Sequence, residues 1–211
     1  MLANVVYVNL DAVRSAALST EPYPFFLATD FLVAQAIDDL KSEFPAITKP
    51  GFLTVEKKTL GEHFRRFVEE LEGPEITEVL SQKLGLDLHP FPRLTTIRKF
   101  SRGNDGRPHT DSESKVSSLL VYMNDSWLDG GEGRLRVLRG PDDFDNMVLE
   151  VPPTMGAAFA FLRRDNSWHG HMPFTGERRV VQVTWLRDAR ELERKKKRNT
   201  FAQVLKGIFE R

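Results

Sequence analysis

The chain has 211 residues, with 30 Lys or Arg, 30 Asp or Glu and no cysteine. The balanced charge gives the whole molecule no electrostatic attraction to nucleic acids or acidic membranes, and the lack of cysteine excludes disulfides, thiolate metal sites and cysteine nucleophiles. The N-terminus lacks the pattern of a signal peptide, and no segment reaches the ~20 apolar residues of a membrane span. We therefore expect one domain over residues 1–211, located in the cytoplasm.

The first part of the chain has helical patterns. Apolar residues recur at helical spacing over residues 30–42 and 60–71, and each pattern predicts a helix. A third helix is predicted over residues 74–84, because this segment starts with a proline and is followed by a glycine. The apolar stripes of these helices are typical of core packing rather than of ligand binding.

From about residue 88 to residue 187 the pattern changes to short β-prone runs separated by Gly, Pro, Asn and Asp. Such runs predict a sandwich or barrel of many strands. Helical patterns first, over about residues 25–87, and strands afterwards indicate helices that support a β core.

The strand region contains a pattern of potential metal ligands. His109 and Asp111 are two residues apart, so on an extended segment their side chains point to the same side. His169 follows an apolar, β-prone run at 156–162 that could bring it beside this pair. Two imidazoles and one carboxylate can occupy one face of an iron octahedron and leave positions open for oxygen and a co-substrate. His171 remains a rival ligand, because it lies two residues after His169.

A strand that begins with two arginines follows the third potential ligand. Arg178 and Arg179 come directly after a Thr-Gly-Glu turn, and an arginine held there can bind a carboxylate in a bidentate manner. On the strand before the first ligand, Arg98 either reaches the site and contacts an anionic substrate or is a solvent-exposed residue. The neighbouring loop at 103–106 is interpreted either as a lid or as a mobile turn.

These motifs resemble the 2-oxoglutarate/Fe(II)-dependent dioxygenase superfamily, and within it the prolyl-4-hydroxylase-like branch. The segment from Ser118 to Asn124 and the Gly-Gly-Glu turn at 130–132 are similar to that branch's strand ending in Tyr-Leu-Asn and the turn that follows it. Residues 94–103 are similar to the family's strand before the His-x-Asp motif. The matches extend over roughly residues 90–187 in the family's order.

The resemblance implies a mainly β fold with flanking helices. The core would be a double-stranded β-helix, a jelly-roll or cupin-like barrel, at about residues 88–187. The N-terminal helices at about residues 25–87 would brace it. A C-terminal helix is expected at about residues 188–210.

The resemblance also assigns roles to individual residues. Fe(II) binding and catalysis would depend on the three potential ligands, His109, Asp111 and His169. Arg179 would pair with the distal carboxylate of 2-oxoglutarate, and the hydroxyl of Tyr122 would reach the same carboxylate. Arg178 is the competing candidate, and Arg179 is preferred because its interval to Trp185 matches the family's arginine-to-tryptophan interval.

Two residues depart from the family's pattern. Many relatives have a serine or threonine two residues after the arginine, whereas Val181 cannot donate a hydrogen bond. Phe100 occupies a position where some relatives have tyrosine. Binding of the co-substrate is therefore expected to depend on the arginine and on Tyr122.

The activity implied by the resemblance is that of an Fe(II)- and 2-oxoglutarate-dependent dioxygenase. Such an enzyme would use O2 to hydroxylate an unactivated C–H bond of a protein, peptide or small molecule, releasing succinate and CO2, with ascorbate as an optional reductant. The alternative is a non-catalytic, cupin-like module that uses the same metal cage to hold a ligand or to stabilise the barrel. The resemblance leaves the substrate open, because similarity of fold does not transfer substrate identity.

The C-terminal stretch has a basic run at 191–198, followed by apolar residues at helical intervals. This pattern predicts a helix whose apolar face packs on the domain or on a second copy of the chain in a homodimer. Binding of nucleic acid or of a membrane surface through the basic run is the less favoured alternative.

Overall fold

The computed structural model describes residues 5–54, 56–127 and 130–197. The α-helices with complete bounds in these ranges are α1 (Leu10–Ser15), α2 (Ile37–Ser42), α3 (Glu62–Leu71) and α4 (Pro74–Leu84). Short 3-10 turns at Ala34–Ala36 and Lys57–Thr59 precede α2 and α3, respectively. These elements account for the three predicted helices and add α1 at the N-terminal side.

Two of the predicted helices agree closely with the structure. Helix α4 has both predicted bounds, and α3 begins two residues later than predicted. Helix α2 begins only at Ile37, because the backbone before it bonds to other segments. The N–H of Phe31 donates to the carbonyl of Gly156 at 3.0 Å, and that of Val33 donates to the carbonyl of Tyr7 at 2.9 Å. These long-range bonds keep the start of the predicted helix extended.

Strands in the described ranges form two sheets. They are β1 (Leu18–Ser19), β2 (Phe25–Ala28), β3 (Arg93–Ser101), β4 (Lys115–Tyr122), β5 (Leu135–Leu138), β6 (Met147–Val151), β7 (Ala158–Leu162), β8 (His169–Gly170) and β9 (Gly176–Leu186). The larger sheet has the order β1-β2-β7-β4-β9-β3, and the smaller has the order β6-β5-β8. Neighbouring strands are antiparallel throughout.

This arrangement confirms the expected fold class, a double-stranded β-helix whose two sheets do not close into a barrel. The expectation of a purely helical support at 25–87 is corrected at one point. Residues 25–28 form strand β2, which pairs with β7 and extends the larger sheet. The physical reason is that the apolar side chains of β2 join the core, with Phe25 and Phe26 both buried.

Strands β4 and β9 divide their side chains between two hydrophobic clusters. On one face, Leu119, Val121 and Val183 pack with Phe64 and Phe67 of α3. The opposite faces contribute side chains to a cluster between the two sheets, which includes Leu120, Tyr122, Leu135, Val137 and Val180. Alternation along β9 therefore decides which residues face the helices and which face the space between the sheets.

The described residues include only part of the predicted C-terminal helix. Residues 189–197 are helical, whereas residues 198–210 of the expected helix, including its apolar face, lie outside the described ranges. Dimerisation through that face stays a prediction. Across the described part of the chain, no helix combines the length and apolar character that a membrane span requires. The cytoplasmic location also stays a prediction.

Burial at the interface between sheet and helices leads to a prediction about stability. Leu119 is fully buried there, so Leu119→Ala should leave a cavity that its neighbours fill only in part. We expect the free energy of unfolding to fall by about 2–5 kcal/mol, measured by urea denaturation followed by circular dichroism. In the control Leu18→Ala, the original side chain is 42% exposed, and the change should stay within about 0.5 kcal/mol. Equal losses in both variants would contradict this description of the core.

Candidate active site

Backbone pairing brings two of the potential ligands together. His109 and His169 form an antiparallel bridge, in which their N–H and C=O groups exchange hydrogen bonds of 2.9 and 3.0 Å. Strand β8, which contains His169, also pairs with β5 in the smaller sheet. The segment around His109 therefore extends this sheet beyond β8, and the two imidazole ring centroids lie 4.4 Å apart.

The structure places all three residues of the predicted triad in one cluster. One potential ligand atom from each of His109, Asp111 and His169 lies within 4.8 Å of the other two. His109 and Asp111 share a side, as their spacing predicts. Asp111 and His169 are buried, whereas His109 is exposed, so the cluster opens to solvent on the His109 side.

Hydrogen bonds determine which imidazole nitrogen is available to a metal. Nδ1 of His109 lies 2.8 Å from the carbonyl oxygen of Arg107, and Nδ1 of His169 lies 2.9 Å from that of Ser167. Because a carbonyl oxygen can only accept, each Nδ1 carries the proton and donates it, and each Nε2 keeps its lone pair. Histidines that bind metals are commonly oriented in this way. Burial, followed by the charge of His109, lowers the pKa of His169 to about 4, so this imidazole is neutral at neutral pH.

Asp111 is held in its ionised form by two neighbours. Nζ of Lys115 donates to one carboxylate oxygen at 2.7 Å, and Oγ of Ser118 donates to the other at 2.8 Å. Burial by itself raises the pKa of Asp111, but the charge of Lys115, the charge that His169 carries when it is protonated at low pH, and these hydrogen bonds outweigh burial and lower the pKa below its ordinary value. Each oxygen keeps a further lone pair for a cation. Two imidazoles and one carboxylate fit the donor set of an Fe(II) site.

Lys115 and Ser118 were not identified from the sequence. The backbone N–H of Lys115 donates to the carbonyl of Ser112 at 2.9 Å, and this turn brings the start of β4 back toward Asp111. On an extended chain, spacings of four and seven residues from Asp111 do not predict a contact with it. The turn and the pairing of β4 with its neighbours create both contacts.

A cavity of about 190 Å³ lies beside the three residues of the triad. We call it the inner cavity. Its other polar lining residues are Arg98, Lys115, His171, Arg178 and Gln182. Cationic side chains outnumber carboxylates in this lining, because Asp111 is its only acid among the described residues. The inner cavity is therefore suited to anionic ligands.

Strand β9 presents Arg178, rather than Arg179, to the inner cavity. Arg178 is only 2% exposed, and its Nη2 lies 3.4 Å from the hydroxyl oxygen of Tyr122. Arg179 points to the opposite face of the sheet, where it pairs with Glu177 and its guanidinium lies 5.2 Å from the centre of the Phe44 ring. The structure therefore places the competing candidate, Arg178, in the lining of the inner cavity, and the choice between the two arginines as the partner of a carboxylate stays a prediction.

The register of β9 explains why Arg178, and not Arg179, lines the inner cavity. Val180 is paired with Tyr122 across the sheet, so Arg178, two residues before Val180, lies on the side of Tyr122. Val181 and Trp185 share a face with Arg179, and that face packs on the helices. The interval between arginine and tryptophan shows that the two residues share a face, but it does not show which face of the strand lines the inner cavity. Val181 therefore does not line the inner cavity, whereas Gln182, a potential hydrogen-bond donor, does.

Arg98 lines the inner cavity, in agreement with the interpretation that it reaches the site. Its guanidinium lies 4.3 Å from the centre of the Phe52 ring and 3.7 Å from a carboxylate oxygen of Asp105. Burial, followed by the charge of Arg178, lowers the pKa of Arg98 to about 10, so it stays protonated at neutral pH. Asp105 belongs to the loop at 103–106, which forms part of the wall; closure of this loop stays a prediction.

His171, the rival ligand, does not join the metal cluster formed by the described residues. It lies in the wall of the inner cavity, where its Nδ1 is 2.9 Å from the carbonyl oxygen of Met172. Burial, followed by the charge of Arg178, lowers the pKa of His171 to about 4. Its Nε2 is buried and has no hydrogen-bond partner within the described ranges. His171 is therefore a neutral wall residue.

Comparisons with known proteins agree with this geometry. Residues 95–187 match the sequence model of the 2OG-Fe(II) oxygenase superfamily, where 2OG stands for 2-oxoglutarate. This segment contains the triad, Arg178 and Tyr122. A search of curated proteins finds no relative with a matching sequence.

Several solved structures have a similar fold at low sequence identity. A prolyl-4-hydroxylase from Pseudomonas putida is 17% identical, with a TM-score of 0.56 over 88% of this chain and 97% of that chain. A prolyl hydroxylase from Trichoplax adhaerens, solved with a fragment of hypoxia inducible factor, is 13% identical, with a TM-score of 0.52 over 84% and 86% of the two chains. A viral collagen prolyl hydroxylase from Paramecium Bursaria Chlorella virus-1, solved with 2OG, is 14% identical, with a TM-score of 0.51 over 77% and 96%.

At these identities the solved structures show the fold alone, and the family match rests on the segment that contains the site. Residues 95–187 include every residue of the triad and both arginines of the inner cavity, Arg98 and Arg178. Residues 95–187 thus match the 2OG-Fe(II) oxygenase superfamily, and the chain has the double-stranded β-helix fold of the prolyl hydroxylases that it resembles.

Proposed function

We propose that the chain is an Fe(II)- and 2-oxoglutarate-dependent dioxygenase that hydroxylates an unactivated C–H bond of its substrate. The observation that carries this proposal is the cluster of His109, Asp111 and His169 beside a cationic cavity, within a segment that matches the superfamily. Iron, with 2-oxoglutarate and O2, would supply the oxidising power, and succinate and CO2 would be released.

In this proposal the protein holds the three metal-binding side chains before iron arrives. The carbonyls of Arg107 and Ser167 fix both imidazoles with Nε2 toward the site. Lys115 and Ser118 fix the carboxylate of Asp111. Because these orientations exist in the folded chain, little conformational entropy remains to be lost on metal binding.

Arg178 is the residue that we propose for the distal carboxylate of 2-oxoglutarate. It is buried in the lining of the inner cavity, and no carboxylate of the described residues pairs with it. A planar guanidinium can donate two parallel hydrogen bonds to a carboxylate. Tyr122, whose hydroxyl lies beside Arg178, would support the same contact.

Apolar side chains complete the surroundings of the proposed reaction site. Leu120 and Leu135 line the inner cavity, and the ring of Phe161 lies 4.8 Å from that of His169. These residues limit the access of water to the buried side of the triad. Exclusion of water strengthens the electrostatic contacts that hold an anionic co-substrate.

Metal and co-substrate binding provide the first test. Anaerobic addition of Fe(II) and then of 2-oxoglutarate should produce a visible charge-transfer band, because the chelate needs both components. His109→Ala should reduce this band strongly, since it removes one of the three protein ligands. His89→Ala, a substitution of a partly exposed histidine remote from the cluster, is the matched control and should leave the band unchanged. A missing wild-type band, or an undiminished band in His109→Ala, contradicts the proposal.

The second test separates the two arginines. Arg178→Ala should weaken 2-oxoglutarate binding by about 10- to 100-fold, the equivalent of losing charged hydrogen bonds, while Fe(II) binding persists. Arg179→Ala should change this affinity by less than about twofold, because its side chain lies on the other face of β9. Isothermal titration with 2-oxoglutarate measures both values, and Arg178→Lys should recover part of the loss by keeping the charge. A larger loss in Arg179→Ala would reverse the assignment.

Succinate formation separates an enzyme from a metal-binding module without activity. The wild-type chain with Fe(II), 2-oxoglutarate, O2 and ascorbate as reductant should release succinate slowly even without added substrate, and Asp111→Ala should abolish this release. Binding of metal and 2-oxoglutarate without any succinate would instead favour the cupin-like module.

A further inference from the structure

The guanidinium of Arg178 is held by a backbone carbonyl as well as by Tyr122. Its Nε donates to the carbonyl oxygen of Gly133 at 2.7 Å, and its carbon Cζ lies 5.2 Å from the centre of the Tyr122 ring. The hydrogen bond to Gly133 is buried and has a charged donor, so it is stronger than a bond between neutral groups. With Nε bonded in this way, Nη1 and Nη2 are the nitrogens left to meet a carboxylate.

Gly133 belongs to a turn just before β5. Its N–H donates to the carbonyl of Met172, in the segment between β8 and β9, at 3.2 Å. Gly133 has a φ of +70°, a backbone conformation that glycine adopts without strain and other residues rarely adopt. This hydrogen bond and this conformation place the carbonyl oxygen of Gly133 beside Arg178.

Two aromatic rings pack against Gly133. The ring centroids of Trp127 and Phe174 lie 4.7 Å apart. A Cβ on Gly133 would lie 2.6 Å from Cζ2 of Trp127 and 3.0 Å from Cγ of Phe174, so the rings leave no room for a side chain there. Nε1 of Trp127 also donates to the carbonyl of Glu132 at 2.8 Å. The aromatic pair therefore holds the turn on the side of Gly133 where a side chain would lie.

The strand that contains Arg178 makes room for the same aromatic pair. A Cβ on Gly176, the first residue of β9, would lie 3.0 Å from Cζ of Phe174. Trp127 and Phe174 are both half-buried, and neither belongs to the two hydrophobic clusters that the described residues form. Their packing therefore joins the turn of Gly133 to the start of β9, which is the segment that leads into Arg178.

We propose that Trp127 and Phe174 are positioning residues for the co-substrate, and that they act through Arg178. Their packing holds the carbonyl of Gly133 against Nε of Arg178, so that the guanidinium keeps one orientation toward the distal carboxylate of 2-oxoglutarate. An arginine that is already oriented loses less side-chain entropy when it binds a carboxylate. The inference rests on the proposed function, since it requires Arg178 to bind 2-oxoglutarate.

The test compares two 2-oxo acids that differ only at the distal end. The acid 2-oxopentanoate has the same chain length and the same keto acid end as 2-oxoglutarate, with a methyl group in place of the distal carboxylate. Anaerobic calorimetric titration of each acid into the full chain with Fe(II) gives two affinities, and their ratio measures recognition of the distal carboxylate. The wild type should bind 2-oxoglutarate about tenfold or more tightly, because only this acid meets Arg178.

Substitutions of the aromatic pair should reduce this ratio. Phe174→Leu should lower it about threefold or more, because Arg178 loses its fixed orientation while the keto acid end of both acids is unaffected. Trp127→Phe keeps a ring but removes the indole N–H, and it should change the ratio in the same direction even if Phe174→Leu fails to fold. The matched control is Phe44→Leu, since the half-buried Phe44 ring lies 5.2 Å from the guanidinium of the other arginine, Arg179. This control should leave the ratio unchanged.

A double substitution separates positioning from a general loss of stability. In the Arg178→Ala background, Phe174→Leu should not weaken 2-oxoglutarate binding further, because its effect passes through Arg178. A further loss of similar size in the double variant overturns the positioning role. An equal fall in affinity for both acids in Phe174→Leu alone does so as well.

The inference and the proposed function can fail separately. A wild type that forms no charge-transfer band and releases no succinate refutes the oxygenase function, and this inference with it. A wild type that forms the chelate and prefers 2-oxoglutarate, with the same preference in Phe174→Leu and in Trp127→Phe, retains the function and refutes positioning by the aromatic pair.

Discussion

The site depends on the antiparallel pairing of His109 with His169. Their two reciprocal hydrogen bonds join residues that are far apart in the chain and place both imidazoles on the same side of the smaller sheet. Strand geometry then places the side chain of Asp111 on the same side as that of His109, because Asp111 is two residues further along the chain. The carbonyls that accept from Nδ1 and the donors around Asp111 orient these side chains further. Without this pairing, the three ligand types would be present in the sequence but would not form one cluster.

A second constraint is the alternation of side chains along β9. One face of this strand packs on the helices through Val181, Val183 and Trp185, and the other presents Arg178, Val180 and Gln182 toward the space between the sheets. A shift of one residue in register would exchange the two sets of side chains and would bury a charged side chain in the apolar core. The same strand thus stabilises the fold on one side and provides polar lining residues of the inner cavity on the other.

The charge distribution connects the proposed chemistry with the choice of co-substrate. The balanced net charge of the whole chain hides a local excess of cationic side chains over carboxylates in the lining of the inner cavity. That excess is buried, where electrostatic interactions are weakly screened, so it favours anions much more than an equal number of surface lysines would. Prolyl hydroxylases with this fold share only 13 to 17% of their sequence with the chain. Their substrates therefore give less guidance than the side chains that line the inner cavity.

The sequence by itself determined the local features. Three features depend only on residues close together in the chain. They are the shared side of His109 and Asp111, the bounds of α4, and the change from helical to strand patterns near residue 88. Only the tertiary structure decided that Arg178 rather than Arg179 lines the inner cavity, that Lys115 contacts Asp111 and that Lys195 is buried beside Ser112. The physical reason is that strand register and turn closure depend on partners distant in the chain. Local periodicity shows which residues share a face, but the pairing of β9 with β4 decides where that face points.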